Sequence, residues 1–253
     1  MDTKRTTYLI KNLGILTISN FASKILVFLM VPLYTSVLTT EDYGKYDLAV
    51  STANLLFPIL TVNIIDAVMR FTMDKKYNNS TVISVGLYHS TLGIAIAGVA
   101  LVVLGVSDIW KAVDGLELYI FLYFLTHVIQ AFLNQTAKGL ERIRDMAVGG
   151  VISTIVMIAA NVLFLIVFKL GLEGFFVANI VAQLIPSVYL FIKLKFYSYI
   201  KNLNVDKRLH KEMLGYCVPL IATSLGWWVN STSDRYVVSF MCGVAANGIL
   251  YVS

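Results

Sequence analysis

The sequence predicts an all-α integral membrane protein, built as a polytopic helical bundle. Its composition is 58% hydrophobic and 14% charged, and its mean hydropathy is +0.76. These values exclude an ordinary soluble domain and a disordered chain. The apolar residues form long continuous runs and do not alternate every second position, which favours membrane-crossing helices over the strands of a barrel.

Seven apolar stretches are long enough to cross a bilayer. A helix needs about 20 such residues to cross a hydrocarbon core of about 30 Å. We expect the first stretch to be a retained span and not a signal peptide, because it is too long and lacks a small-residue cleavage site. The predicted spans are Leu13–Leu38, Tyr46–Met69, Val82–Val106, Leu118–Thr136, Ala147–Phe168, Leu172–Ile192 and Cys217–Met241.

The distribution of Lys and Arg predicts that the N-terminus is cytoplasmic. With that orientation the external segments hold only Lys45, Lys111 and Lys169, and the cytoplasmic segments hold fifteen basic residues. This asymmetry is typical of membrane topology, so the net charge of +5 does not indicate nucleic-acid binding. The cytoplasmic set is Lys4, Arg5, Lys11, Arg70, Lys75, Lys76, Lys138, Arg142, Arg144, Lys193, Lys195, Lys201, Lys207, Arg208 and Lys211.

A weak internal repeat predicts the domain organisation. The segment Leu38–Tyr46 reads LTTEDYGKY and the segment Cys242–Tyr251 reads CGVAANGILY, and aligning Gly44 with Gly248 places the seventh span opposite the first. Because the polarity is unchanged six helices later, the repeats are expected to be parallel. The prediction is a six-helix lobe over residues 1–195, a cytoplasmic linker over 196–216, and a truncated start of a second lobe over 217–253.

Lys24 is the first candidate site residue, because it lies near the middle of the first span. A lysine at that depth costs roughly 2.5 to 3.5 kcal/mol on insertion scales, which indicates a contact that keeps it there. Its positive charge favours an anionic substrate, such as a phosphorylated lipid. Asn20 lies on the same helical face and His127 lies at a similar depth, so both are candidate cavity residues.

Four charged residues in or beside the spans are further candidates. Asp66 and Arg70 are four residues apart near the inner interface and suit an ion pair, and Arg70 is also a candidate substrate contact. Asp234 and Arg235 are neighbours that point in different directions on one helix, so each requires a partner elsewhere. We interpret Asp66, Asp234 and Arg235 as possible gating or coupling residues.

The sequence contains no catalytic arrangement. It has no GxSxG motif, no P-loop, no metal-spaced His or Cys cluster, and only short external loops. We therefore expect neither an enzyme nor a cofactor or metal requirement. A membrane glycosyltransferase or polymer ligase is disfavoured, because either requires a sizeable catalytic segment outside the spans.

The ordered set of motifs resembles bacterial polysaccharide flippases of the O-antigen and capsule type. The set comprises the first span with Lys24, the LTTEDYGKY turn, DAVMRF at Asp66–Phe71, KGLER at Lys138–Arg142, and DR at Asp234 and Arg235. The resemblance covers the whole chain. It implies membership of the MATE-like superfamily, which groups multidrug exporters with oligosaccharide-lipid and peptidoglycan-precursor flippases.

The resemblance also implies a function. Such proteins arrange two lobes around a central cavity and move an undecaprenyl-pyrophosphate-linked oligosaccharide from the cytoplasmic to the outer leaflet by alternating access. Their site is the bacterial plasma (inner) membrane, and their partners are membrane lipids and other proteins that assemble lipopolysaccharide or capsule. Lys24 is the matching position for a cavity cation that receives the anionic group. The alternative is a cation-coupled multidrug exporter, which would use embedded carboxylates; the first span offers a lysine and no acid.

The charge asymmetry makes the topology testable. In a background without Cys217 and Cys242, single cysteines at Thr40 and at Gly115 should react with a membrane-impermeant thiol reagent in intact cells, whereas a cysteine at Asn79 should not. Labelling at Asn79 alone would reverse the orientation.

Overall fold

The computed structural model describes residues 30–74, 76–107, 115–201, 203–204 and 206–252, and their regular structure is helical throughout. The all-α prediction is therefore confirmed for this part of the chain. Helix α1 covers residues 30–37, a π-helix covers Val162–Val167, and the other helices are α2 (Thr40–Leu60), α3 (Ile64–Met73), α4 (Asn79–Ser107), α5 (Glu117–Gly139), α6 (Ile143–Asn161), α7 (Gly171–Lys193), α8 (Tyr197–Lys201), α9 (Lys207–Cys242) and α10 (Val244–Val252).

Four helical segments are individually long and apolar enough to cross a membrane: Asn79–Val103, Glu117–Gly139, Ile143–Val167 and Gly171–Lys193. They coincide with the third to sixth predicted spans, and large apolar side chains such as Val102 remain exposed on them. Exposed valine and isoleucine on long helices suit contact with lipid. The bundle is therefore polytopic, as predicted. The first predicted span, Leu13–Leu38, lies mostly outside the described residues.

The second predicted span is broken into two helices. Helix α2 ends at Leu60, α3 begins at Ile64, and the two axes differ by 56°. Val62 and Asn63 between them have φ angles of 53° and 51°, so the backbone turns out of the right-handed helix at this point. The break follows Pro58, which has no N–H to donate within α2. Together the bent pair forms one candidate span.

Helix α9 is longer and more polar than the predicted seventh span. Asp206 caps it by accepting hydrogen bonds from the N–H groups of Arg208 and Leu209, so the helix already begins inside the predicted linker. Its 36 residues correspond to about 54 Å at 1.5 Å per residue. Residues 230–235 read NSTSDR, which explains why α9 does not reach the apolar length of the four individual spans.

The loops gather at two ends of the bundle. The Arg70 end contains the C-terminus of α3 and the start of α9, joined by a hydrogen bond from Tyr77 Oη to Glu212 Oε2 of 2.7 Å. The Thr40 end contains the starts of α2 and α7, where the rings of Tyr34 and Phe175 lie 4.9 Å apart. Helices α9 and α10 both pack against α2, and α9 also packs against α3.

An aromatic cluster fixes α7 against α2 and α5 near the Thr40 end. Phe176 is fully buried, with its ring centroid 5.0 Å from that of Tyr46 on α2 and 6.2 Å from that of Tyr119 on α5. The Tyr119 hydroxyl donates to Glu173 Oε2 at 3.0 Å, which ties α5 to the first turn of α7. The packing of α7 against α2 and α5 therefore depends on aromatic rings from all three helices.

Phe176→Ala should lower the free energy of unfolding in detergent by about 3 to 5 kcal/mol, because it removes a fully buried ring and leaves a cavity. The matched control is Phe240→Ala, whose ring is 93% exposed on α9. Thermal unfolding measured in parallel should show a large fall for the first variant and little change for the second. Equal shifts would contradict this account of the core.

Candidate functional site

The groove between α9 and the bent pair of α2 and α3 contains the candidate site. Helix α9 lies along the bent pair: Cys217 Sγ donates to the Asn63 carbonyl at 3.6 Å, Asn63 Nδ2 donates to Ser224 Oγ at 3.5 Å, and Trp228 Nε1 donates to the Ser51 carbonyl at 2.9 Å. These contacts run from the break in the bent pair towards the Thr40 end. They join two parts of the chain that are more than 150 positions apart.

An open pocket of about 520 Å³ lies at the Arg70 end of this groove. We call it the Arg70 pocket; its lining residues are Met69, Arg70, Phe71, Met73, Asp74, Tyr77 and Tyr216. The guanidinium carbon of Arg70 lies 5.6 Å from the ring centroid of Tyr216, and the ring of Phe71 lies 6.0 Å from the same ring. The pocket therefore combines one cation, Arg70, with several aromatic faces and with the carboxylate of Asp74, which accepts from the backbone N–H of Lys76 at 3.0 Å.

A network of charged groups lies beside the Arg70 pocket and shares Tyr77 with it. Glu212 accepts hydrogen bonds from the Tyr77 hydroxyl at 2.7 Å and from Arg208 Nε at 3.1 Å, and these bonds lower the pKa of its carboxyl. Lys76 Nζ donates to the Tyr77 hydroxyl at 3.1 Å, and this bond raises the pKa of Lys76. Both groups stay charged near neutral pH. The carboxylate of Glu212 is already hydrogen-bonded to Arg208 and Tyr77.

Arg70 and Asp66 do not form the expected ion pair. Asp66 Oδ1 accepts from Gln135 Nε2 at 2.7 Å, which connects α3 to α5. Arg70 is exposed, lies against Tyr216, and makes no ion pair with any residue that the structure describes. The two side chains are apart because Arg70 lies against Tyr216 of α9 at the mouth of the pocket, whereas Asp66 is hydrogen-bonded to Gln135 of α5. Arg70 thus presents a free guanidinium to the groove.

The deeper candidates are placed less completely. The His127 ring lies between two aromatic rings, 5.0 Å from the Phe57 centroid and stacked 6.0 Å from Tyr123. It is only partly buried and makes no hydrogen bond within the described part of the chain. Lys24 and Asn20 lie outside the described residues, so their expected neighbourhood with His127 stays a prediction.

Arg235 on α9 has a partner on α2. Its Nη1 forms an ion pair with Asp47 Oδ1 on α2, and Asn247 Nδ2 on α10 donates to Asp47 Oδ2 at 3.0 Å. We call these three side chains the Asp47 cluster. Asp47 is 1% exposed and Asn247 is fully buried, whereas the Arg235 side chain is 29% exposed, so Arg235 reaches a buried carboxylate from a partly exposed position at the Thr40 end.

Asp234 points away from the Asp47 cluster. It is exposed, and its Oδ1 accepts from the backbone N–H of Arg235 at 2.9 Å. Together with Asn230 and Ser231 it forms an exposed polar stretch on α9. We predicted that each of the two residues requires a partner elsewhere: Arg235 has one in Asp47, and Asp234 makes no ion pair with any residue that the structure describes.

Sequence reasoning missed Asp47, Asn247 and Tyr216. Asp47 was the one detectable signal, because it is a carboxylate just inside the second predicted span, yet its position next to the external loop suggested an interfacial residue. Asn247 and Tyr216 carry no charge and follow no spacing. Only the packing of α9 and α10 on α2 and α3 identifies them.

The described geometry suits an anionic ligand at the Arg70 end. A free guanidinium binds phosphate oxygens in pairs, and neighbouring aromatic rings offer flat apolar faces. At the Thr40 end, the buried carboxylate of Asp47 forms an ion pair with Arg235. The groove therefore has at one end a cation, Arg70, that makes no ion pair among the described residues, and at the other an ion pair between α2 and α9.

Comparison with known proteins gives a family and a fold. The family described as "Polysaccharide biosynthesis protein" matches residues 9–252. The crystal structure of a mutant MATE protein has a similar fold, with a TM-score of 0.61 at 15% sequence identity, and the match covers 95% of this chain. This chain spans 60% of the length of that MATE chain. No curated protein matches the sequence.

Proposed function

Because this chain belongs to the polysaccharide biosynthesis protein family, we propose that it is part of a flippase for a lipid-linked oligosaccharide. The fold is that of a multi-pass membrane transporter. The proposed cargo is an oligosaccharide on undecaprenyl pyrophosphate, carried from the cytoplasmic to the outer leaflet by alternating access. The product would serve surface polysaccharide such as lipopolysaccharide or capsule.

The free guanidinium of Arg70 is the observation that carries this proposal. It lies at the mouth of the groove on the end of the bundle where the loops are basic, beside the rings of Tyr216 and Phe71. A pyrophosphate offers the counter-charge that Arg70 lacks among the described residues, and sugar rings offer apolar faces to the aromatics. A cationic drug would be repelled at the same place.

We place the path of the anionic group between Arg70 and Lys24. Arg70 would take the phosphate at the cytoplasmic end, and Lys24, with Asn20 and His127 as polar neighbours, would hold it at mid-membrane depth. Asp66 supports this path indirectly, because its bond to Gln135 fixes the helix that carries Arg70. Asp234 and Arg235 lie near the other end and are assigned to conformational coupling.

The proposed setting follows from the charge distribution and the family. The Arg70 end would face the cytoplasm of a bacterial inner membrane, with the N-terminus on the same side. The proposed partners are the lipid-linked oligosaccharide, membrane lipids and other membrane proteins of polysaccharide assembly; no nucleic acid is among them.

A cation-coupled multidrug exporter is the second candidate, and the environment of Asp47 argues against it. An embedded carboxylate that binds a coupling cation must be free of fixed cations, whereas Asp47 already pairs with Arg235. Asp66 does not meet this objection, because it accepts from Gln135 and makes no ion pair among the described residues. A glycosyltransferase or ligase is the third candidate. The connections between the described helices are short, which leaves them little room for a catalytic domain and favours transport over catalysis.

Arg70→Ala should reduce surface polysaccharide by about tenfold or more, because a charge-assisted hydrogen bond contributes roughly 1.5 to 3 kcal/mol. Arg70→Lys should retain part of the activity, since the charge remains while the paired geometry is lost. The measurement is polysaccharide export in a strain that lacks the transporter, normalised to membrane protein. The matched control is Arg144→Ala, an exposed arginine on α6 outside the pocket. Equal losses for the two alanine variants would exclude Arg70 as the receiving group.

Lys24→Ala and Lys24→Glu should both abolish export at unchanged protein level, with glutamate the more severe because it repels the phosphate. Lys24→Arg should retain part of the activity. Lys45→Ala is the control, since Lys45 pairs with Glu41 at the Thr40 end at 2.8 Å. Normal export by Lys24→Ala would assign the lysine a structural role and remove the argument for an anionic cargo.

A further inference from the structure

Helices α2 and α10 cross at two glycines with almost no separation. A Cβ atom on Gly44 would overlap the carbonyl oxygen of Val244, and a Cβ atom on Gly248 would overlap the carbonyl oxygen of Thr40. The two backbones therefore touch directly, which is possible only where both helices lack a side chain. Gly44 and Gly248 are the residues that the internal repeat places opposite each other.

The contacts at this crossing exchange partners under that alignment. The alignment pairs Thr40 with Val244 and Gly44 with Gly248, so the Gly44 contact with Val244 becomes the Gly248 contact with Thr40. Exchange of this kind is the property of a two-fold axis, at which the same patch of two related units meets itself.

A second pair of contacts obeys the same exchange. The rings of Tyr43 and Tyr251 lie 5.9 Å apart, and Asp47 and Asn247 are joined by a hydrogen bond of 3.0 Å. The alignment pairs Tyr43 with Asn247 and Asp47 with Tyr251. Two pairs of contacts, one between the glycines and the opposite backbones and one between side chains, thus place the axis that relates the repeats at the same crossing.

The two arms of the crossing differ in chemistry. One arm holds the two tyrosine rings, whereas the other holds the Asp47 cluster, into which Arg235 reaches from α9. The guanidinium carbon of Arg235 also lies 5.5 Å from the Tyr251 ring centroid, so it connects both arms. Because Asp47 is on α2 while Arg235 and Asn247 are on α9 and α10, every bond of the cluster joins the first repeat to the second.

The energetics of a buried ion pair suit a contact that must open. Removing Arg235 leaves the buried carboxylate of Asp47 without a counter-charge, whereas separating both partners into water returns their hydration and offsets most of the lost attraction. A purely apolar contact of the same area would have no such compensation on opening. The Asp47 cluster therefore holds the crossing closed without making separation prohibitive.

We propose that the α2–α10 crossing lies on the axis relating two parallel repeats and forms the external gate of the transport path, with the Asp47 cluster holding it shut. The proposal rests on the proposed function, because a gate requires a path. In this structure the crossing closes the Thr40 end, and the Arg70 pocket opens at the other end, where α9 still contacts α3 and the Tyr77 hydroxyl donates to Glu212.

The first test measures access to the groove from outside. A cysteine at Ser224, beside Asn63 and deeper than Trp228, serves as the reporter in a background without Cys217 and Cys242. In intact cells an impermeant thiol reagent should label it weakly, and Asp47→Asn should increase labelling several-fold. The double variant Asp47→Asn with Arg235→Gln removes both charges, leaves no stranded ion, and should give the same increase at normal protein level.

The control is Lys45→Gln, which breaks the exposed Lys45–Glu41 pair on the same helix and should leave labelling unchanged. Total reporter is measured with a permeant thiol reagent after solubilisation. Strong labelling of the reporter with the cluster intact, or unchanged labelling in the double variant, would overturn the gate. No substrate enters this assay, so its result is independent of the cargo.

The second test holds the crossing closed. Cysteines at Tyr43 and Tyr251, joined by a short cleavable bifunctional thiol reagent, leave the Asp47 cluster in place and should stop polysaccharide export until the link is cleaved. Normal export by the linked protein would overturn the gate. If export does not depend on the protein at all while labelling responds to Asp47→Asn, the proposed function fails and the gate stands.

Discussion

The break between α2 and α3 is the constraint on which the rest of the structure depends. It bends the second span by 56°, and the Asn63 carbonyl at the break accepts a hydrogen bond from Cys217 on α9. An interrupted helix within a membrane is tolerated only where protein or water satisfies the freed groups. Thr61 supplies part of that compensation, since its hydroxyl donates to the Phe57 carbonyl at 2.7 Å. Helix α4 also approaches the break closely, because Gly93 has no side chain to keep Leu60 away.

The bend sets the directions of the two functional ends. Helix α2 points its first turn at α10 and places Asp47 against Arg235, whereas α3 diverges from that direction and carries Arg70 to the mouth of the pocket. The long, polar α9 contacts both halves of the bent pair. Only Leu209, Met213 and Cys217 of α9 are buried, and its polar stretch at Asn230, Ser231 and Asp234 is exposed.

Arg235 and Arg70 lie in opposite environments. Arg235 is partly exposed and pairs with the buried Asp47, whose carboxylate would carry a large desolvation cost without that partner. Arg70 is exposed beside Tyr216, so solvent supports its charge until an anion replaces the water. The first arrangement stabilises one conformation, and the second leaves binding energy available for a ligand.

Sequence alone determined the fold class, four of the spans and the residues that carry charge within them. Bilayer thickness and backbone satisfaction fix these features locally, so apolar run length predicts them without tertiary information. The alignment of Gly44 with Gly248 was also visible in the sequence, but the contact between the two helices at these glycines was not. Only the tertiary structure decided that Arg235 pairs with Asp47 and that Arg70 pairs with no acid among the described residues. Those outcomes depend on how α9 and α10 pack on the bent pair, and contacts between residues nearly 190 positions apart leave no periodic trace in the chain.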